Sequence, residues 1–228
     1  MTNICIIPAR GGSKRIPKKN IKNFLGKPII SYSIEVAKKS KLFSEIIVST
    51  DDVEIAEISK KLGAKVPFYR SKKNSDDFAT TFDVINEVLT KYKEEKKIFN
   101  YACCIYPCAP FVSVNKIKKA YEELTQNQFD SVFPIQENSP PTQRALKIYE
   151  NKIKLVNSKF LNSRSQDLEK TFHDAGMFYW MDISKILIKK SILTDNCGKI
   201  IINELESQDI DSETDWRLAE LKYQILKE

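Results

Sequence analysis

The chain opens with an apolar run, Ile4, Cys5, Ile6 and Ile7, that breaks at Pro8 into a turn carrying Gly11, Gly12 and five basic residues before Asn20. This junction constrains the fold more than any other stretch. A continuous apolar run of this length suits a strand covered on both faces, as in a parallel sheet flanked by helices. Glycines let backbone N–H groups close on an anion, because no Cβ stands in the way. Lysine and arginine around the turn can add charge-assisted hydrogen bonds to phosphate. A buried strand feeding such a turn points to a nucleotide site at the carboxyl end of a parallel sheet. The turn has neither the Gly-Lys-Ser/Thr ending of a Walker loop nor a G-x-G-x-x-G pattern. A solvated basic loop after a core strand has the same composition, so charge alone leaves both readings open.

The chain beyond it alternates strand and helix patterns. Lys27 and Pro28 begin an expected helix, with Pro28 in its first turn and Ile30, Ile34 and Ala37 on one face. Residues 46–49 read as a strand. Asp51, with Glu54 three residues on, is placed to cap a helix with an Ile55, Ile58, Leu62 stripe that ends at Gly63. A short extended piece at 66–70 and a helix bearing Phe82, Ile85, Leu89 and Tyr92 follow. Strands at 101–105 and 131–135 bracket a helix marked by Val114, Ile117, Tyr121 and Leu124. Strands are expected again at 176–180 and 200–202, with a helix at 182–190 between them. The last helix has Ser212 and Asp215 at cap spacing and Leu218, Leu221 and Ile225 on its apolar face. The alternation predicts one α/β domain over 1–228, a three-layer sandwich with a mostly parallel sheet. Right-handed crossovers then gather the loops at Arg10, Asp51 and Pro107 on one edge. The rhythm breaks over 136–175, a polar insertion with Pro140, Pro141 and a hairpin-like piece at 145–156.

Of the 37 basic residues only six are arginine, against a net charge of +7. Lysine spread along helix faces is a solvated surface, so a small anionic substrate explains the charge better than nucleic acid. No apolar run reaches the ~18 residues of a membrane span, and no signal-peptide pattern opens the chain. The five cysteines, Cys5, Cys103, Cys104, Cys108 and Cys197, suit reduced thiols in a cytoplasmic protein. With His173 the only histidine, zinc is disfavoured.

Asp209 and Asp211 flank Ile210. In extended backbone the two carboxylates share a side, an oxygen pair suited to Mg2+; acids entering a helix would read the same way. Arg70 and Thr81 bound a polar loop, where a surface ion pair and a helix cap are the plain alternatives. His173 beside Asp174 invites an acid–base reading, but adjacent strand residues point to opposite faces, so substrate orientation is expected rather than proton transfer.

The order Pro8-Ala9-Arg10, Ser13-Lys14, Ile16-Pro17, Lys19-Asn20 resembles the first signature of the cytidylyltransferases that activate nine-carbon 2-keto sugar acids. The resemblance covers nearly the whole chain. It is strongest at 4–20, 49–52, 162–176 and 209–216. It implies a nucleotidyltransferase-like, Rossmann-like fold whose 136–175 insertion covers the sugar and crosses to a second subunit, giving a homodimer. It also implies CTP and a nine-carbon 2-keto sugar acid as substrates, Mg2+ as cofactor, and neither nucleic acid nor membrane as partner. Residue by residue, Ala9, Arg10, Gly11, Gly12, Ser13, Lys14, Lys19 and Asn20 would hold the nucleotide, and Arg70 and Thr81 would read its base. Asp209 and Asp211 would bind the metal, and Lys19, Arg10 and Asp211 would carry the chemistry. Tyr106, Arg144, Arg164, His173 and Asp174 would bind the sugar.

Tyr106, Pro107, Cys108, Ala109 and Pro110 keep both prolines of the Gln-Pro-Thr-Ser-Pro found in sialic acid enzymes. The glutamine that touches the sugar there is replaced by Tyr106, which points away from sialic acid. The Arg164-Ser165-Gln166-Asp167 and His173-Asp174-Ala175-Gly176 steps resemble the branch that activates pseudaminic acid, although Met177 stands where that branch often has glutamine. The reading is therefore CMP transfer from CTP to pseudaminic acid with release of pyrophosphate. Sialic or legionaminic acid is the alternative acceptor. A non-catalytic sugar-nucleotide or nucleic-acid binder is the alternative of another class.

Overall fold

The computed structural model describes residues 2–227. In chain order its strands and α-helices are β1 (Asn3–Pro8), a small hairpin of β2 (Asn23–Phe24) and β3 (Lys27–Pro28), α1 (Ile30–Ser40), β4 (Glu45–Ser49), α2 (Val53–Lys61), α3 (Thr81–Glu94), β5 (Tyr101–Ile105), α4 (Val114–Gln126), β6 (Ser131–Glu137), a second hairpin of β7 (Leu146–Tyr149) and β8 (Lys152–Leu155), β9 (Phe172–Asp174), β10 (Phe178–Asp182), α5 (Ile183–Lys189), β11 (Cys197–Ile202) and α6 (Glu213–Ile225). The main sheet runs β11-β6-β10-β5-β1-β4, with β9 added on β6. β1 pairs in parallel with β4 and β5, and β11 with β6, while β10 runs antiparallel between β5 and β6.

Side chains alternate across β1, and the core divides accordingly. Cys5 and Ile7 face a layer built from α1, α2, α4 and α6, where Ile34, Ile55, Ile117 and Trp216 are buried. Ile4 and Ile6 face α3 and α5 through Ile85, Val88 and Ile186. This is the expected three-layer sandwich. Trp180 anchors the first layer, stacked on Phe43 at 5.1 Å and donating its Nε1–H to Ile117 O at 3.0 Å.

Three local expectations are corrected. Lys27 and Pro28 form a strand, and α1 starts at Ile30. Leu25 and Gly26 take φ of 48° and 94°, the paired positive values of a tight hairpin turn, and Gly26 N–H donates to Asn23 Oδ1 at 2.8 Å. The N-cap of α2 is Asp52, whose carboxylate accepts from Ile55 N, which leaves Asp51 for another partner. On α6 the buried residues are Trp216 and Ala219, while Leu218, Leu221 and Ile225 are exposed. Trp216 meets Phe24 edge-on at 5.6 Å, with Tyr223 on the same aromatic cluster, and this packing sets the helix rotation.

The 136–175 stretch leaves the sheet at the end of β6, forms the separate β7–β8 hairpin, and returns as β9. Leu146, Ile148, Ile153, Val156 and Leu161 are exposed along it. Among the described residues no helix is long and apolar enough to cross a membrane.

Candidate active site

Hydrogen bonds bring the loops at the carboxyl ends of β1, β4 and β5 together. Ala9 N–H donates to Ser49 O at 2.9 Å, and Gly11 N–H to Asp51 Oδ1 at 2.9 Å. Asn20 Nδ2 holds Arg10 O at 2.9 Å, and Cys108 Sγ donates to Asn20 Oδ1 at 3.2 Å. Ser33 Oγ ties Tyr106 O to α1 at 2.8 Å. A Cβ on Gly11 would lie 2.8 Å from Asp52 Oδ2 and 2.9 Å from its Cβ, so glycine is required where the turn crosses the α2 cap. The amides of Ala9 and Gly11 are thus engaged within the protein. The donors that the turn leaves for a ligand are its side chains and the backbone around Gly12.

The loops enclose a cleft of about 640 Å³. Arg10, Ser13, Lys14, Arg15, Lys19 and Asn20 line it from the basic turn, and Asp209 and Ile210 from the segment before α6. Lys19 Nζ donates to Ile210 O at 2.6 Å and stands 3.7 Å from Asp211 Oδ1. The cationic turn and the acidic pair, far apart in sequence, therefore belong to one site. Ile210 is 2% exposed and turned inward between the two acids. Among the described residues no third His, Cys, Asp or Glu joins them. Two carboxylates suit Mg2+, which keeps several waters and takes its other ligands from phosphate. The donor set fits that ion.

Asp77 closes the other end of the charge pattern. Its oxygens lie 2.8 Å from Arg10 and 2.6 Å from Lys14, and those hydrogen bonds hold its carboxyl below the usual range. Arg70 is buried, and its guanidinium is held by Ser49 through Nε at 3.1 Å and by the Ser49 carbonyl. Burial pushes its pKa down, while Asp51 opposes the shift. Thr80, not Thr81, caps α3, so the Thr81 hydroxyl is free to meet Tyr106 OH at 2.9 Å. Tyr106 packs on Tyr179 at 5.4 Å, and Tyr179 OH donates to Asp174 Oδ2 at 2.8 Å. Burial raises both phenols.

Comparison with known proteins identifies the architecture. The family model for cytidylyltransferases matches residues 4–204. The chain belongs to the cytidylyltransferase family. It is 42% identical over 226 residues to pseudaminic acid cytidylyltransferase from Campylobacter jejuni, covering 99% of this chain and 97% of that one. It is 31% identical to CMP-N,N'-diacetyllegionaminic acid synthase from Legionella pneumophila, covering 96% and 95%. Among solved structures it is similar to CMP:2-keto-3-deoxy-manno-octonic acid synthetase complexed with CTP, with TM-score 0.72 and 14% identity over 100% and 99% of the two chains; that likeness concerns the fold.

The cytidylyltransferase cleft leaves several expected sugar residues outside its lining. Arg164 pairs with its neighbour Asp167 at 2.7 Å, and Arg144 lies 3.4 Å from Ser165 Oγ. His173 Nδ1 sits 2.8 Å from Asn138 Oδ1, on the opposite side of β9 from the Asp174 contact. Asp174 reaches the site through Tyr179 and through Gly176, whose N–H it accepts at 2.8 Å and which does line the cleft. Sequence reasoning gave no role to Arg15, Asp77 or Tyr179. Arg15 was legible as a fifth charge on the turn, and the family resemblance already sets Asp76 and Asp77 near the nucleotide, whereas Tyr179 becomes a neighbour of the site only through the sheet.

Proposed function

We propose that the chain transfers CMP from CTP to a nine-carbon 2-keto sugar acid, with pseudaminic acid as acceptor and pyrophosphate as the second product. The observation that carries the reading is one cleft lined by the basic turn together with Asp209 and Ile210, with Lys19 of that turn 3.7 Å from Asp211. The 42% identity to the Campylobacter jejuni enzyme supports the acceptor.

Arg10, Ser13, Lys14 and Lys19, with the backbone around Gly12, hold the triphosphate. Asn20 keeps the turn in shape from below. Arg70 and Thr81 read the cytosine, the buried guanidinium toward a carbonyl oxygen and the hydroxyl toward the amino group. Tyr106 and Asp174, braced by Tyr179, face the sugar. The anomeric oxygen of the acid attacks the α-phosphorus. An O–P bond forms, the α–β P–O bond breaks, pyrophosphate leaves with the electron pair, and the hydroxyl proton passes to solvent. Such a transfer needs positioning and charge neutralisation more than a covalent intermediate. Asp209 and Asp211 would hold Mg2+, which supplies charge neutralisation on the phosphates when bound. The exposed apolar hairpin β7–β8 supports a homodimer in which Arg144, Arg164 and His173 of the 136–175 insertion serve the neighbouring cleft. Use of CTP fits a cytoplasmic location.

The test is a panel of pseudaminic, legionaminic and sialic acids with CTP and Mg2+, read as pyrophosphate release and CMP-sugar formation. Turnover with pseudaminic acid is expected, and turnover with none of the three would reject the reading. Asp211→Ala is expected to lower kcat at least about a hundredfold without shifting the melting temperature, since the side chain is 38% exposed.

A further inference from the structure

Strand pairing fixes the backbone of Tyr106. Its N–H donates to Met177 O at 2.9 Å, and its carbonyl accepts from Ser33 Oγ at 2.8 Å. The β5–β10 ladder sets Tyr179 opposite Cys104, two residues before Tyr106, and the two tyrosine rings meet at 5.4 Å. Tyr179 is 4% exposed, and the two phenols act on each other's titration. Their hydroxyls have different further partners. Tyr179 OH donates to Asp174 Oδ2 at 2.8 Å, and Tyr106 OH meets Thr81 Oγ1 at 2.9 Å. Side chains from β9, β10, the end of β5 and the start of α3 thus form one row, from Asp174 to Thr81.

The row has a direction. A carboxylate only accepts, so the Tyr179 proton is committed to Asp174. The Tyr179 oxygen has only lone pairs left for its neighbour. The Tyr106 proton is drawn to that side, and the Tyr106 oxygen accepts from Thr81. A threonine hydroxyl has a single proton and otherwise rotates to suit its partner. With that proton held by Tyr106, Thr81 offers the cleft lone pairs alone. Lone pairs suit the amino group at C4 of cytosine and repel the carbonyl oxygen that uracil carries there.

We propose that Tyr106 and Tyr179 are positioning residues for base selection, which turn the Thr81 hydroxyl into a pure acceptor and so set a preference for CTP over UTP. The inference rests on the CTP reading of the cleft, in which Thr81 meets the amino group. It places the source of the selectivity behind Thr81, on the tyrosine that stands where sialic acid enzymes have glutamine.

Binding of CTP and of UTP is measured by calorimetry with Mg2+ and without sugar, so the result does not depend on the acceptor. The native chain is expected to prefer CTP. Tyr106→Phe frees the Thr81 proton to turn toward a uracil carbonyl. It should narrow the CTP-to-UTP affinity ratio about tenfold, the scale of one hydrogen bond, with UTP bound as well as before or better. Tyr179→Phe should narrow the ratio in the same direction. The double variant should narrow it no further than Tyr106→Phe alone, because both act through one proton. Thermal melts establish that the variants are folded. A merely structural role would weaken both nucleotides alike, and an unmoved ratio in folded Tyr106→Phe or folded Tyr179→Phe overturns the proposal. If the native chain shows no preference for CTP, the base reading itself falls. If it prefers CTP while the ratio survives Tyr106→Phe, that reading stands and only the role of the tyrosines falls.

Discussion

At the scale of single residues, each cation proposed to grip phosphate already has an internal anion. Asp77 occupies Arg10 and Lys14 as a phosphate would. Asp77→Asn should therefore tighten metal-free CTP binding by roughly threefold to tenfold, read by calorimetry; weaker binding would mean that Asp77 helps to hold the nucleotide. Gly11 tests the shape of the turn instead of its charge. Gly11→Ala should cost about 1–3 kcal/mol through overpacking against Asp52, measured by thermal unfolding, with a raised KM for CTP. Both residues lie in stretches whose composition was informative, yet their partners were not legible. Asp51 looks like the cap of α2, and Asp52 is equally suited by type. The choice between them is made by Gly11, whose N–H lies against Asp51 only when β1 and β4 are paired.

At the scale of elements, the helices and strands followed from apolar periodicity, while their faces and ends often did not. The α6 periodicity put Leu218, Leu221 and Ile225 on the apolar face, whereas packing on the Phe24 ring buries Trp216 instead. Leu25 and Gly26 hid a hairpin because Pro28 is also a good helix-start residue. At the far end of the sheet from the cleft, β6 is pinned by Asp130. Burial alone would raise the Asp130 pKa, but Lys189, Asn196 and Thr194 outweigh it and hold the carboxyl well below its usual range. A depressed folded-state pKa gives stability that is complete above the unfolded value of about 3.9 and is lost as pH falls below it toward the folded value. The melting temperature of the native chain should therefore drop more steeply below about pH 4 than that of Asp130→Asn. At pH 7, Asp130→Ala should lower it by about 5–10 °C, since it removes the buried acceptor that Lys189, Asn196 and Thr194 share.

At the scale of the whole molecule, the β7–β8 hairpin departs from a domain that is otherwise closed around its core. Ile148 and Ile153 face each other across it and are 82% and 72% exposed. Covering each would contribute about 1.5–3 kcal/mol, so Ile148→Glu should shift a dimer toward monomer in light scattering, with lower activity per chain and an unchanged melt of the sheet domain. A native chain that runs as a monomer at micromolar concentration would refute the dimer. The amino-acid order by itself determined the layered α/β class, the basic glycine turn, the acidic pair and the family likeness, because each depends on local periodicity or on residues close in sequence. Only the tertiary structure decided that Lys19 and Asp211 meet, that Asp77 pairs with Arg10 and Lys14, that Tyr179 stands behind Tyr106, and that β10 enters the sheet antiparallel. Those outcomes depend on which strands pair and how helices rotate against them, and that is settled by burying side chains from opposite ends of the chain in one core.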